Sequence, residues 1–386
     1  MPTTTFLEDK LRELALFEPQ PLPVLSLYVN TQPDGTGHPN FGPFLRKELK
    51  AKAATYPLRS PERDSFDRDA EKIMAWFESE LRPSANGVAI FACAGADDFF
   101  QELQLDVPID TNELFVYDQP HLYTLARLND QYPSYAAVIA DTNSARIFVF
   151  GLATKLESDT ISNKKLGRTQ VGGWSQARYQ RRVENLHMHH GKEVLDALEK
   201  VVREEGIQHI VFAGDEAILP VLHEQLSPFL AGKVVDELRL NVTTPEHEFL
   251  TVTLSAMREY DSRNDADEIK AFMDQYRSGG LAAAGLHDVL AALGNGQVET
   301  LFISTSFEKM NSTAEQSDNE SAPSEGETAG VSPSAQLSDE LVTRAKQTSA
   351  HVQFVEDETL LEPFGGVAAM LRYRIQSRGK GNEQEK

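Results

Sequence analysis

Gly172 and Gly173 stand directly before Trp174, Ser175 and Gln176, and a strongly basic stretch follows. The glycine pair lets the backbone take positive φ or approach another surface closely, which residues with side chains do at a cost. Trp174 offers a face on which an unpaired base can stack, worth about 1–3 kcal/mol where the contact forms. Gln176 carries an amide that can orient a water or a sugar hydroxyl, supplying position and polarity rather than proton transfer. Arg178, Arg181, Arg182 and Asn185 then recur at i, i+3, i+4 and i+7, the spacing of one helix face. From Lys164 to Lys192 the charged residues are Lys164, Lys165, Arg168, Arg178, Arg181, Arg182 and Lys192 against Glu184 alone, in a chain of net charge -22. Such a local cationic excess marks a polyanion contact, and guanidinium groups pair with phosphates bidentately. The plainer reading is a simple turn followed by a solvated helix side. The scarcity of compensating acids counts against it.

The elements around this stretch must hold it rigidly. Tyr135–Asp141 and Ala145–Phe150 read as two strands around the polar turn Thr142-Asn143-Ser144, a hairpin. A long helix follows the glycines, with Val194, Leu198, Val201 and Val202 at helical spacing and Gly191 as a candidate bend. Ile207–Asp215 reads as strand and turn, and Ile218–Leu226 as helix. Strands alternating with helices predict an α/β layer with some parallel pairing. Upstream, Val24–Val29 and Gly87–Cys93 read as strands, with helices through Leu45–Leu49 and Glu71–Phe77, and Asn129–Pro133 as a linker. Downstream, Ala266–Tyr276 reads as a connecting helix. Leu281–Leu293 reads as an alanine-rich helix ended by Gly294-Asn295-Gly296, and Val298–Ser304 and His351–Val355 read as strands. A helix is expected around Ser338–Val342. Residues 311–336 are rich in Ser, Glu, Pro and Gly and hold no Lys or Arg, the composition of a disordered acidic insert. The expected division is 1–132, 133–265 and 266–386.

Composition bounds the rest. A chain of 386 residues, 40% hydrophobic and 25% charged, fits a globular protein of two or three domains. The single cysteine, Cys93, excludes an internal disulfide framework and reads as a small core hydrophobe, with a reactive thiol as the alternative. The first residues have neither a charged n-region nor an apolar h-region, and no run of about eighteen apolar residues occurs, so a cytoplasmic protein without a membrane span is expected. A pI near 4.9 argues against indiscriminate coating of nucleic acid, so any such contact must be local. His187, His189 and His190 lack Cys or acidic partners at metal-ligand spacing and read as a helix-surface cluster. No phosphate loop, dinucleotide fingerprint, Gly-x-Ser-x-Gly or His-Glu-x-x-His occurs, so no cofactor or metal is expected.

The order of three α/β units, the basic Gly-Gly loop before the second unit's helix, and the closing run Phe364-Gly365-Gly366-Val367-Ala368-Ala369-Met370-Leu371-Arg372-Tyr373 resemble the archaeal and eukaryotic class-one peptide release factors and Pelota. They more closely resemble the bacterial archaeo-eukaryotic release factor family. The resemblance runs from about Ser134 to Ile375, and the first domain matches by position alone. It implies a release-factor-like middle domain carrying the Gly-Gly loop, and a third domain with the fold of the kink-turn-binding ribosomal proteins. In release factors a glutamine follows the two glycines directly and helps place water at the peptidyl-tRNA ester. Here Trp174 takes that place and Gln176 comes two residues later, similar to the Gly-x-x-Gln variant of release-factor-like proteins of eukaryotic ribosome quality control. No counterpart of the codon-reading Asn-Ile-Lys-Ser motif occurs, so codon-specific termination is not expected.

The resemblance implies a tRNA mimic that occupies the A site of idle or stalled ribosomes, in hibernation or rescue. Gly172, Gly173, Trp174, Ser175 and Gln176 would enter the peptidyl-transferase centre. Lys164, Lys165, Arg168, Arg178, Arg181 and Arg182 would meet rRNA. A translational GTPase of the elongation-factor type is the implied delivery partner. Two alternatives stand beside this: a peptidyl-tRNA hydrolase that uses Gln176 catalytically, and a non-ribosomal RNA-binding protein.

Overall fold

A computed structural model describes residues 3–33, 41–152, 156–162, 174–307 and 333–373, with side chains for 7–33, 41–152, 185–307 and 333–373. Two compact units divide the chain, Met1–Asp261 and Ser262–Lys386. Among the described residues no helix is long and apolar enough to cross a membrane.

The first unit contains two sheets. α1 (Thr3–Ala15), β1 (Val24–Asn30), α2 (Phe41–Ala53), α3 (Pro61–Ser79), β2 (Gly87–Cys93), β3 (Phe99–Leu105), β4 (Glu113–Tyr117) and α4 (Tyr123–Gln131) build the first of them. Its strand order is β3-β2-β1-β4 and every pair is antiparallel. Strand β2 is buried along its whole length, as its unbroken apolar run predicts, and Cys93 lies in that core. One face packs Leu25, Leu27, Val88 and Ile90 against Leu45 and Leu49 of α2 and Phe66 and Ile73 of α3. On the other, the Tyr28 hydroxyl donates to the His121 carbonyl at 2.6 Å. Helix α3 starts where Ser60 accepts from the Arg63 amide, with Pro61 in the first turn. Helix α4 runs to Gln131, so most of the expected linker is helical.

Asp69 of α3 is buried to 1% exposure and accepts from the Ala94 amide at 2.9 Å, tying α3 to the turn after β2. Burial raises its carboxyl from the ordinary 3.8 to about 6, despite that hydrogen bond and nearby Lys72 and Arg68. The folded carboxyl therefore holds its proton more tightly than the unfolded one. The stability this contributes is complete below about pH 4 and is lost as pH rises through 6. Asp69→Asn is expected to flatten that slope, removing a pH 4-to-7 difference of about 2 kcal/mol after allowance for screening. Urea melts of both proteins across that range check this, and parallel pH profiles would contradict it.

The second sheet follows directly. β5 (Tyr135–Ala140), β6 (Ser144–Phe150), β7 (Leu156–Ser162), α5 (Trp174–Glu204), β8 (His209–Gly214), α6 (Leu219–Gln225), α7 (Pro228–Ala231), β9 (Val234–Arg239) and α8 (Glu246–Arg277) come in that order. The strand order is β7-β6-β5-β8-β9. β5–β6 and β6–β7 are antiparallel, while β5–β8 and β8–β9 are parallel, the mixed layer expected from alternating strands and helices. Ala136, Val138, Ile147 and Phe212 pack beneath Val194 and Leu198 of α5. On the opposite face Tyr135, Phe148 and Val211 pack against Phe249 and Met257 of α8. The connecting helix is thus 32 residues long, about three times the expected Ala266–Tyr276. Its added turns are carried by the i, i+4, i+8 spacing of Phe249, Thr253 and Met257, all buried.

The second unit contains β10 (Ala282–Ala284), α9 (Leu286–Gly294), β11 (Val298–Ser304), α10 (Pro333–Gln347), β12 (His351–Val355), α11 (Glu358–Leu361) and β13 (Val367–Leu371). The order is β10-β13-β11-β12, with only β11–β12 parallel. Phe272 and Ile269 of α8 meet Phe302, Val355 and Leu361 in its core. The expected helix over Leu281–Leu293 is corrected here. Gly285 at φ +81° breaks it, so Ala282–Ala284 pair as a strand with Ala368–Met370 and the helix begins only at Leu286. Gly365-Gly366 form a turn from helix to strand. The expected acidic insert also ends sooner. Residues 333–336 open α10 with Ser334 and Ala335 buried, and the remainder of the insert, 311–332, lies outside the described residues.

Candidate nucleic-acid interface

Strand register locates the edge from which the glycine stretch departs. Ser162, the last residue of β7, pairs with Ser144, and the same edge holds Ala140 and Gly214, the carboxyl ends of parallel strands β5 and β8. Open α/β sheets bind ligands outside the carboxyl ends of their strands. Lys164, Lys165, Arg168, Gly172 and Gly173 lie outside the described residues. Trp174, Ser175 and Gln176, expected on the loop, instead open helix α5. No breaker follows Gly173, and Ala, Arg and Gln all favour helix, so the helix can begin immediately after the glycines.

Helix α5 is longer than the sheet it covers. Its 31 residues span about 46 Å, whereas a six-residue strand such as β8 spans about 20 Å. Among the residues with described side chains, His190, Val194, Leu198 and Val202 carry its core packing. The turns that carry Arg178, Arg181 and Arg182 come earlier in the same helix. At 100° per residue those positions centre roughly 130° around the axis from Val194, Leu195, Leu198 and Val202. The shared face read from the sequence is therefore a face of a real helix.

The neighbouring residues seat α5. α5 is continuous through Gly191, where a Cβ would stand 3.0 Å from Val221 and Gln225 of α6, so the glycine admits the neighbouring helix. His189 is exposed beside Glu193 at 3.4 Å, but His190 is buried, which removes it from the expected surface cluster. Among the described residues no group of three or more His, Cys, Asp or Glu is placed to hold a metal ion.

Two residues that the sequence reading passed over shape the same edge. Asp141 Oδ1 accepts from the amides of Asn143 and Ser144, both at 2.7 Å, which closes the β5–β6 turn beside Ser162. The Asp-Thr-Asn-Ser run was its signal. Arg146 Nη2 donates to the carbonyls of Val242 and Thr244 at 2.6 and 2.7 Å, pinning the turn that leads into α8. A groove at this edge is lined by Glu216, Leu219, Pro220, His223, Glu224, Glu237 and Arg239. Arg239 pairs with Glu216, His223 Nδ1 meets Glu237 at 3.1 Å, and three glutamates line the groove beside one arginine, so it does not suit a phosphate.

Residues 120–258 match the family model for bacterial archaeo-eukaryotic release factor family 10, and residues 263–375 match that for eRF1 domain 3. The two matches support a release-factor and Pelota-like family for residues 120–258 and 263–375. Within that likeness, the middle segment is similar to the bacterial archaeo-eukaryotic release factor family 10. Peptide chain release factor subunit 1 of Methanocaldococcus jannaschii is 23% identical, over 95% of this chain and 96% of its own length. Among solved structures, archaeal Pelota bound to the ribosome with ABCE1 matches at 14% identity and a TM-score of 0.40, covering 96% of this chain and 95% of its own. Saccharomyces cerevisiae Dom34, described as interacting with Hbs1, matches at 11% and 0.40, covering 80% and 94%. At these scores the structural likenesses carry no weight beside the two family models.

Proposed function

We propose that this chain is a ribosome-binding translation factor that occupies the A site of idle or stalled ribosomes as a tRNA mimic. In this reading Gly172 to Gln176 reach the peptidyl-transferase centre and Arg178, Arg181 and Arg182 meet rRNA phosphates. The observation that supports it most is α5 itself: a helix about twice as long as the strands of its sheet, with the three arginines at one-face spacing in its first half. The carboxyl-edge departure of the glycine stretch and the two adjacent family matches support it further. The likeness to the release-factor and Pelota-like families makes a ribosome and a translational GTPase the expected partners here.

The competing outcome is hydrolysis. Gln176 in the first turn of α5 stands near the helix N-terminus, where backbone amides and the helix dipole favour a developing negative charge. Single-turnover incubation with ribosomes carrying labelled peptidyl-tRNA separates the two readings. A site blocker is expected to bind and release no peptide, and Gln176→Ala is expected to bind equally. Release that falls at least about a hundredfold in Gln176→Ala would make the protein a peptidyl-tRNA hydrolase instead. Absence from ribosomes at low salt would refute both.

A further inference from the structure

A second cationic face lies on α2, far from the glycine stretch in sequence. Between Phe41 and Pro61 the charged residues are Arg46, Lys47, Lys50, Lys52 and Arg59 against Glu48, a local excess of the sign opposite to the chain's -22. Leu45, Leu49 and Ala53 turn into the core, so Arg46, Lys47 and Lys50 occupy the exposed side of the same helix. Arg46 and Lys50 are i, i+4 neighbours with no carboxylate at ion-pair distance among the described residues, and Lys47 reaches only Glu48, at 3.4 Å. Arg59 is exposed at the left-handed φ of 66°, beside Leu58 at 82% exposure.

The usual structural explanation for cations near a helix C-terminus does not account for this face. Basic groups there offset the helix dipole and the unpaired carbonyls. Arg63 already fills that role, because its Nη1 donates to the Ala53 carbonyl at 2.7 Å while its Nε pairs with Asp67. Arg46 and Lys47 also sit mid-helix, beyond the last turn.

We infer that the exposed face of α2, with Arg59 of the following loop, is a second RNA-binding surface that grips the phosphate backbone of double-helical RNA. The cations supply charge complementarity to a polyanion. Phe41 packs against Phe77 and Tyr56 against Phe66, so among the described residues of this region these rings offer no stacking platform for splayed bases, and backbone recognition of a duplex is favoured. An anionic membrane fits less well, since the apolar side of α2 is buried and Leu58 alone is exposed. This inference goes beyond the ribosomal reading and does not depend on it.

The test is anisotropy of a labelled, fully paired RNA hairpin with the full chain, between about 50 and 200 mM salt. Arg46→Glu/Lys50→Glu is expected to weaken binding about tenfold or more at the lower salt and to reduce the log–log salt slope by roughly 2. Lys200→Glu/Lys270→Glu makes the same net-charge change on exposed residues elsewhere and is expected to bind nearly as the parent does. Far-UV circular dichroism verifies that each variant is folded, and the neutral pair Arg46→Gln/Lys50→Gln is expected to fall between parent and reversal. No loss in the α2 variants, or an equal loss in the control pair, overturns the inference. Binding to phosphatidylserine vesicles without binding to the hairpin overturns it in favour of a membrane. Because the probe is an isolated duplex, failure here leaves the A-site reading standing, and failure of the Arg178/Arg181 variants on ribosomes leaves this one standing.

Discussion

Arg178→Glu combined with Arg181→Glu is expected to detach the protein from ribosomes at moderate salt. Each lost phosphate contact removes released counterions, so the log–log salt slope of ribosome association should fall by roughly 2, and apparent affinity near 100 mM salt should drop more than about tenfold. Reversal exceeds removal because glutamate adds repulsion from the same phosphates. At 100° per residue the positions lie well around the helix axis from Val194 and Leu198, so the thermal midpoint should hardly move. That separation makes the result interpretable, since binding lost at unchanged stability is binding lost from the face itself. Sedimentation with ribosomes over a salt series is the measurement, and an unchanged slope removes these arginines from the interface.

The second large effect is expected in the platform beneath. Phe212 lies at the centre of β8 with 1% exposure, among Val138, Leu198, Ile218 and Leu222. Phe212→Ala removes an aromatic ring from a site with strands on both sides, where the backbone cannot collapse to refill the space, and should cost about 3–5 kcal/mol. That is a large part of the roughly 5–15 kcal/mol that holds a domain folded. The urea midpoint of the Met1–Asp261 unit should fall with little change in slope. An unshifted midpoint would mean that β8 is not the packed centre of this sheet. Loss of ribosome association should accompany the unfolding and not precede it, in contrast to the arginine variants.

Much of this architecture was legible in residue patterns because local physics decides it. The buried run Gly87–Cys93, the hairpin around Thr142-Asn143-Ser144 and the strands at Val298 and His351 all form where their β-branched and apolar spacing puts them. The misses share a cause. Ala282–Ala284 is a good helix sequence that pairs as a strand, because β13 offers partners and Gly285 ends the continuity. The front half of α8 was unread because its polar residues outnumber the buried stripe of Phe249, Thr253 and Met257. Trp174 to Gln176 were assigned to the loop because a glycine pair signals irregular chain without saying how soon order resumes.

The candidate interface divides the same way. Residue type and helical spacing by themselves determined that Arg178, Arg181 and Arg182 share a face, that charge is concentrated against the sign of the whole chain, and that a glycine pair precedes it, because these depend only on composition and a fixed 100° step per residue. Tertiary structure alone decided that β7 ends at the carboxyl edge of the parallel strands and that α5 is about twice as long as the strands it covers. It alone decided that Arg63 satisfies the end of α2. Pairing register, helix overhang and the partner of a given carbonyl depend on residues far apart in the chain, and no local spacing encodes them.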